Sequence, residues 1–214
     1  MQYEIIPVTH YQQNCSLIWC EATKKAAVID PGGEVERIAR RIKKLDLALD
    51  KIILTHGHMD HVGGAAALAK QANVPIVGPH KDDQFWLSML DQQAMMMGFA
   101  SQEPLVPTQW LNDGDTVSVG DIVLDVFHCP GHTPGHVVLV CAKSRLAWVG
   151  DVLFKGSIGR TDFPRGDYQT LVNSIRGKLW PLGDDIVFVP GHGDRSTFGD
   201  ERRTNPFVAD ERFG

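Results

Sequence analysis

Six consecutive positions, His56-Gly57-His58-Met59-Asp60-His61, constrain this chain more than any other feature of its sequence. They directly follow a short apolar strand, residues 51–54, and precede the Gly63-Gly64 start of an alanine-rich helix. In near-extended backbone, side chains two apart point to the same side, so His56 and His58 can converge on one ion. Asp60 and His61 are adjacent and would diverge in a strand, but a turning loop would aim both at a second ion nearby. This differs from the HExxH pattern, in which a helix sets both histidines on one metal. Imidazoles mixed with a carboxylate suit zinc, iron or manganese. Three histidines and an aspartate in six positions rarely arise without a metal.

Three further candidates share the same context. His132 follows a strand ending at Phe127, within Cys129-Pro130-Gly131-His132-Thr133. Asp151 follows Ala147-Trp148-Val149-Gly150, and His192 follows Val187-Phe188-Val189-Pro190-Gly191. Every one of these groups leaves the C-terminal end of a strand, with a glycine in or beside it that lets the backbone bend and approach closely. One rim of the fold would then carry the whole site. His10, His80 and His128 are read as ordinary surface or core residues, since a lone histidine after a strand is seldom a ligand. His136 either supports the loop from behind or packs.

The fold class read from the pattern is α/β. Residues 3–8, 16–19 and 26–29 read as strands and Asp30-Pro31-Gly32-Gly33 as a turn. A helix follows at 35–45, with Val35, Ile38, Ile42 and Leu45 on one face. Next come a strand at 51–54, a helix at 64–72, a short strand at 76–77 and a longer helix at 82–97. The second half has strands at 116–119, 122–127, 136–140 and 146–149, a helix at 168–179, a strand at 186–189 and a helical turn at 199–204. Two sheets packed face to face with helices outside would bury this pattern, with residues 80–103 between the halves.

Charge and hydropathy exclude several roles. A formal net charge of −5 argues against nucleic acid or an anionic membrane as partner. The densest basic run, Arg40-Arg41-Ile42-Lys43-Lys44, reads as a solvated helix face. No apolar stretch approaches the roughly 20 residues of a membrane span, and residues 1–9 lack the pattern of a secretory signal. A cytoplasmic address is expected, with Cys15, Cys20, Cys129 and Cys141 as buried free thiols outside the metal site.

In order and spacing, Thr55–His61, Gly131-His132-Thr133-Pro134-Gly135-His136, Gly150-Asp151 and Pro190-Gly191-His192-Gly193 resemble the metallo-β-lactamase superfamily. That resemblance implies a four-layer αββα sandwich over residues 1–214 with two divalent ions at one edge. It implies that His56, His58 and His132 hold one ion, that Asp60, His61 and His192 hold the other, and that Asp151 bridges them. Gly150–Phe154 and Ile158-Gly159-Arg160-Thr161-Asp162 are similar to the glyoxalase II branch, in its short bacterial form. The longer enzymes of that branch carry a C-terminal helical domain that grips glutathione and a tyrosine soon after the last histidine. This chain is expected to lack that domain, and it reads Gly193-Asp194-Arg195 at the tyrosine's place.

The expected chemistry is hydrolysis of S-lactoylglutathione to D-lactate and glutathione, as in methylglyoxal detoxification. Zinc is the expected metal, with iron or manganese as alternatives. A water bridging two divalent ions is acidified towards a pKa of about 7, and the hydroxide attacks the thioester carbonyl. Asp60 orients that hydroxide as well as ligating. With two ions offset by Asp60, Asp151 and hydroxide, the pocket is slightly positive and favours an anionic thioester. Arg160 is the expected contact for a glutathione carboxylate, against a plain structural salt bridge. Phe85, Trp86, Met89, Met95, Met96, Met97 and Phe99 read first as core at helical spacing, and second as a pocket wall. The competing activities are a persulfide dioxygenase with one iron and a hydrolase of another acidic ester or thioester, with lactones, β-lactams and RNA less favoured. A monomer or small homo-oligomer without macromolecular partners is expected.

Overall fold

Side-chain alternation along the strands sets the layers. The computed structural model describes residues 1–213. Strands β1 (Gln2–Val8), β2 (Gln13–Trp19) and β3 (Lys25–Ile29) lead to helix α1 (Val35–Lys44), then to β4 (Ala48–Ile53). A one-turn helix α2 (Met59–Val62), helix α3 (Ala65–Ala72) and β5 (Ile76–Val77) complete a five-stranded sheet in the order β1-β2-β3-β4-β5. Helices α4 (Gln84–Leu87) and α5 (Leu90–Met97) follow. The second sheet draws on β6 (Thr116–Val119), β7 (Ile122–His128), β8 (Val137–Cys141) and β9 (Leu146–Gly150). After a hairpin of β10 (Leu153–Phe154) and β11 (Ser157–Ile158) come α6 (Tyr168–Ser174), β12 (Val187–Pro190), β13 (Ser196–Thr197) and α7 (Phe198–Thr204). Its order is β13-β12-β9-β8-β7-β6.

Successive strand residues face opposite sides of a sheet, and here both sides are apolar. Leu17, Val28, Ile52 and Leu54 pack outward with Ile38, Ile42 and Leu68 of α1 and α3. Ile18, Ala27, Ile29 and Ile53 face inward onto Leu124, Leu139 and Trp148 of the second sheet. Beyond that sheet, Val138, Val140, Ala147 and Val149 pack on Leu171, Val172 and Phe198 of α6 and α7. Three apolar layers separate four layers of structure, the expected αββα sandwich. The first sheet ends at β5 and the second begins at β6, so the segment between them does divide the halves.

The differences from the sequence reading are local. The helix expected over 82–97 breaks at Ser88, whose hydroxyl bonds the carbonyl of Phe85, and resumes as α5. Side-chain back-bonding of this kind competes with the helix ladder. The β10–β11 hairpin and the short α2 and β13 lie in segments too short for periodicity to register. Among the described residues no helix is long and apolar enough to cross a membrane, and all four cysteines are free and buried.

Candidate metal centre

The C-terminal ends of β4, β9 and β12 and the loop after β7 meet at one edge of the sandwich. The loop after β4 carries His56 and His58, then turns through α2, so that Asp60 and His61 leave a helical turn. The turn aims the adjacent pair at one place, as an extended strand would not. His132 comes from the β7–β8 loop, Asp151 from the end of β9 and His192 from just past β12.

Two clusters result. His56, His58 and His132 bring ligand atoms within 4.8 Å of one another, and so do Asp60, His61 and His192. In the first, His132 Nε2 lies 3.0 Å from His58 Nδ1. In the second, His192 Nε2 lies 3.0 Å from Asp60 Oδ2. Asp151 spans both: its Oδ1 is 3.2 Å from His61 Nε2 and its Oδ2 is 3.6 Å from His132 Nε2. All seven expected residues are brought together.

The far sides of the imidazoles are held by the protein. His132 Nδ1 donates to the Arg160 carbonyl at 2.8 Å and His192 Nδ1 to that of Tyr11 at 3.1 Å. His61 Nδ1 sits 2.9 Å from Asp30 Oδ2, and His56 Nδ1 3.0 Å from Thr55 Oγ1, whose hydroxyl donates to the same Asp30 oxygen. These bonds set the Nδ1 side of His56, His61, His132 and His192 and turn the Nε2 of each inward. His136 stacks on His56, centroids 4.5 Å apart, and its Nε2 accepts the backbone N–H of Asp151. It therefore supports the site from behind.

Electrostatics separate the two clusters. Burial pushes His56 well down and His58 down to about 3, so both stay neutral. Burial works against charge on His61 too, but the carboxylates of Asp151, Asp60 and Asp30 prevail and raise it. Burial likewise opposes ionisation of Asp60 and Asp151, yet His61 holds both below the usual carboxylate range. Charge density thus concentrates around Asp60, His61 and Asp151.

The donor set fits divalent metal. Nε2 of His56 and His61 and Oδ1 of Asp151 are buried without hydrogen-bond partners. Leaving such groups unpaired costs about 1–3 kcal/mol each, and bound cations would satisfy them together. Glycine at 191 is required by the crowding: a Cβ there would lie 2.0 Å from Asp151 Oδ1 and 2.6 Å from His61 Cε1.

Residues 8–192 match the Metallo-beta-lactamase superfamily. The chain belongs to that superfamily. It is 50% identical to hydroxyacylglutathione hydrolase GloC of Haemophilus influenzae over 97% of this chain and 98% of that protein. Two solved structures of the superfamily's fold superpose closely. The BLEG-1 B3 metallo-beta-lactamase aligns with a TM-score of 0.89 at 32% identity, covering 97% of this chain and 99% of its own. TTHA1623, solved in a di-iron-bound form, aligns with a TM-score of 0.87 at 34% identity, covering 96% and 100%.

Beside the centre opens a cavity of about 720 Å³, lined by Trp86, Met89, Met96, Met97, Phe163 and Arg160 among others. The 85–99 segment is therefore partly pocket wall. Met95 and Met96, at 80% and 87% exposed, are not core, whereas Phe99 packs on the core and Phe85 lies outside this cavity. Arg160 pairs with Asp162 at 2.8 Å and covers the Phe163 ring at 4.3 Å, so it lines the cavity and makes a salt bridge at once. His80 and His128 stack on each other at 4.1 Å, apart from the centre, and His10 packs on Tyr11 and Phe99. The sequence reading passed over Asp30, Asp83 and Gln93. Asp30 had a usable signal, as a carboxylate at the C-terminal end of a strand like the ligands themselves. Asp83 and Gln93 sit within helical sequence and had none.

Proposed function

We propose that this chain is a dinuclear metal-dependent hydrolase of S-lactoylglutathione, releasing D-lactate and glutathione. The observation that carries the reading is its 50% identity, over almost the whole chain, to a hydroxyacylglutathione hydrolase. The geometry supports it. His56, His58 and His132 would hold one ion, Asp60, His61 and His192 the other, and Asp151 both. Zinc is the favoured metal and iron the alternative, since imidazole suits either. Two divalent ions supply Lewis acidity, which generates hydroxide from water near neutral pH and stabilises negative charge developing on oxygen.

The chain's own residues do the rest. Asp60 Oδ2 lies 3.0 Å from His192 Nε2, beside the second cluster; we assign Asp60 to accept a hydrogen bond from the attacking water and orient it. The water oxygen bonds to the acyl carbon, the C–S bond breaks, and the water's proton goes to the departing thiolate. A thiolate leaves readily, so no strong general acid is needed. Arg160 and Lys155, both on the cavity wall, each face an aspartate, Asp162 at 2.8 Å and Asp194 at 3.5 Å. Both cations are exposed and would bind the substrate's carboxylates in competition with those aspartates. Trp86, Met89 and Met97 line the cavity and would shield the thioester from bulk water. Reduced, buried thiols suit the cytoplasmic address.

The test is to offer metal-reconstituted protein S-lactoylglutathione and, separately, glutathione persulfide, following thiol release and oxygen uptake. Thiol release from the thioester, lost on chelation, is the expected result. Oxygen uptake on persulfide without thioester hydrolysis would replace the reading with a dioxygenase.

A further inference from the structure

The wall of the cavity and the ligands of the first cluster are joined through one buried carboxylate. Asp83, wholly buried, lies just before α4, on the segment that carries Trp86 and Met89. Its Oδ2 accepts the backbone N–H of Gly57 at 2.8 Å, between His56 and His58. The same oxygen accepts the Thr133 hydroxyl at 2.8 Å, and Oδ1 accepts the N–H of Gly135 at 2.5 Å. Thr133 is next to His132. One side chain therefore grips both loops that supply His56, His58 and His132, and its hydrogen bonds go to Gly57, Thr133 and Gly135 rather than to the imidazoles.

Gln93, on α5, completes the grip from the same side. Its Nε2 donates to the Gly57 carbonyl at 3.2 Å and to that of Trp86 at 2.9 Å, while its Oε1 accepts the N–H of Met59 at 3.0 Å. Both polar groups of Gly57 are thus held by the wall segment. A Cβ on Gly57 would lie 2.7 Å from Cβ of Trp86, so the loop and the wall meet at backbone distance. His58 packs edge-on against Trp86, ring centroids 4.6 Å apart. The second cluster is held by other groups, Asp30 on His61 and Tyr11 on His192, and Asp30 also reaches His56 through the Thr55 hydroxyl.

We propose that Asp83 is a positioning residue for the first metal position, setting His56 and His58 against His132, and that it acts on that position separately from the second. This rests on the two-ion reading above. Supporting groups behind metal ligands are typically worth about 10–100-fold in metal affinity. The substitution Asp83→Asn keeps size and removes one acceptor, because an amide nitrogen cannot accept a hydrogen bond. Asp30→Asn provides the contrast, a support that reaches both clusters.

The experiment is a Co(II) titration of metal-free wild type, Asp83→Asn and Asp30→Asn, above about pH 8 where carboxylates are ionised. Visible absorption and metal content give two stepwise affinities, and paramagnetically shifted imidazole NMR signals tell which cluster fills. Asp83→Asn is expected to weaken filling of the His56/His58/His132 cluster by at least about tenfold and to leave the other within about threefold. Asp30→Asn, which loosens His61 directly and His56 through Thr55, is expected to weaken both positions. Equal weakening of both positions by Asp83→Asn, or no weakening of the first, overturns the proposal. Should Asp83→Asn fail to fold, Gln93→Glu, which replaces the amide donor to the Gly57 and Trp86 carbonyls by an acceptor, must show the same selectivity or the proposal falls. A wild type that binds one ion overturns the two-ion reading and this proposal with it, and is distinguished by the wild-type trace alone.

Discussion

Replacing Gly191 by alanine adds one methyl at the tightest point of the centre. The methyl carbon would start 2.0 Å from Asp151 Oδ1 and 2.6 Å from His61 Cε1, against an ordinary contact of 3.4 Å or more. The backbone has little room to yield. Gly191 donates to the Gly150 carbonyl at 2.7 Å and accepts from the Asn14 N–H at 2.7 Å, which ties it on both sides. The displacement, about 1.4 Å on the contact distance, therefore falls on Asp151 and His61, and misplacement of about 1 Å can cost on the order of 100-fold in rate. Overpacking of this kind destabilises by about 1–3 kcal/mol. Gly191→Ala should fold, melt slightly lower, and hydrolyse S-lactoylglutathione at least about 100-fold more slowly, with weakened metal binding. Steady-state kinetics, metal analysis and a urea melt read all three. A variant with two tightly held ions and kcat within about threefold of wild type would refute the crowding argument.

Other perturbations have equally definite outcomes. Arg160→Ala should raise KM for S-lactoylglutathione by roughly tenfold while kcat changes little, because it removes binding rather than chemistry. A fall in kcat with KM unchanged would count against a carboxylate contact. Burial pushes the Asp83 carboxyl up to about 7 from an ordinary 3.8, against the pull of its three donors. The folded state therefore binds this proton more tightly than the unfolded state, and the stability it contributes is present below about pH 4 and lost as pH rises to about 7. The stability of metal-free wild type minus that of Asp83→Asn should thus fall with pH across this window, by up to about 4 kcal/mol. A difference that stays flat with pH in urea unfolding would show the carboxyl ionised throughout. Adding zinc to metal-free protein should raise the melting temperature in a concentration-dependent way, and unchanged melting would contradict the fit of the orphaned donors to metal.

What was legible in the sequence follows from how local each signal is. His56 to His61 sit in one segment, and His132, Asp151 and His192 each follow an apolar strand run, so their convergence at one edge could be read from strand direction alone. The alternation of strand and helix runs in each half pointed to two sheets packed face to face with helices outside, and both sheets are covered on both faces. The break at Ser88 and the exposure of Met95 and Met96 were not legible, because helical spacing carries no information about which face meets solvent once a helix is interrupted. The role of Asp83 depends on contacts across 26, 50 and 52 residues of chain and that of Gln93 on contacts across 34 and 36, which periodicity does not encode. Asp30 acts across 25 residues on Thr55 and 31 on His61, and sits in a turn whose Pro31-Gly32-Gly33 sequence offers a simpler explanation for it.

That seven side chains hold two ions is tested most directly by anomalous diffraction from crystals grown with zinc, recorded either side of the zinc absorption edge. Two peaks are predicted, one among His56, His58 and His132 and one among Asp60, His61 and His192, with Asp151 touching both. A single peak at the first cluster, with Asp60, His61 and His192 bonded only to protein or water, would contradict the dinuclear centre and the hydrolysis built on it.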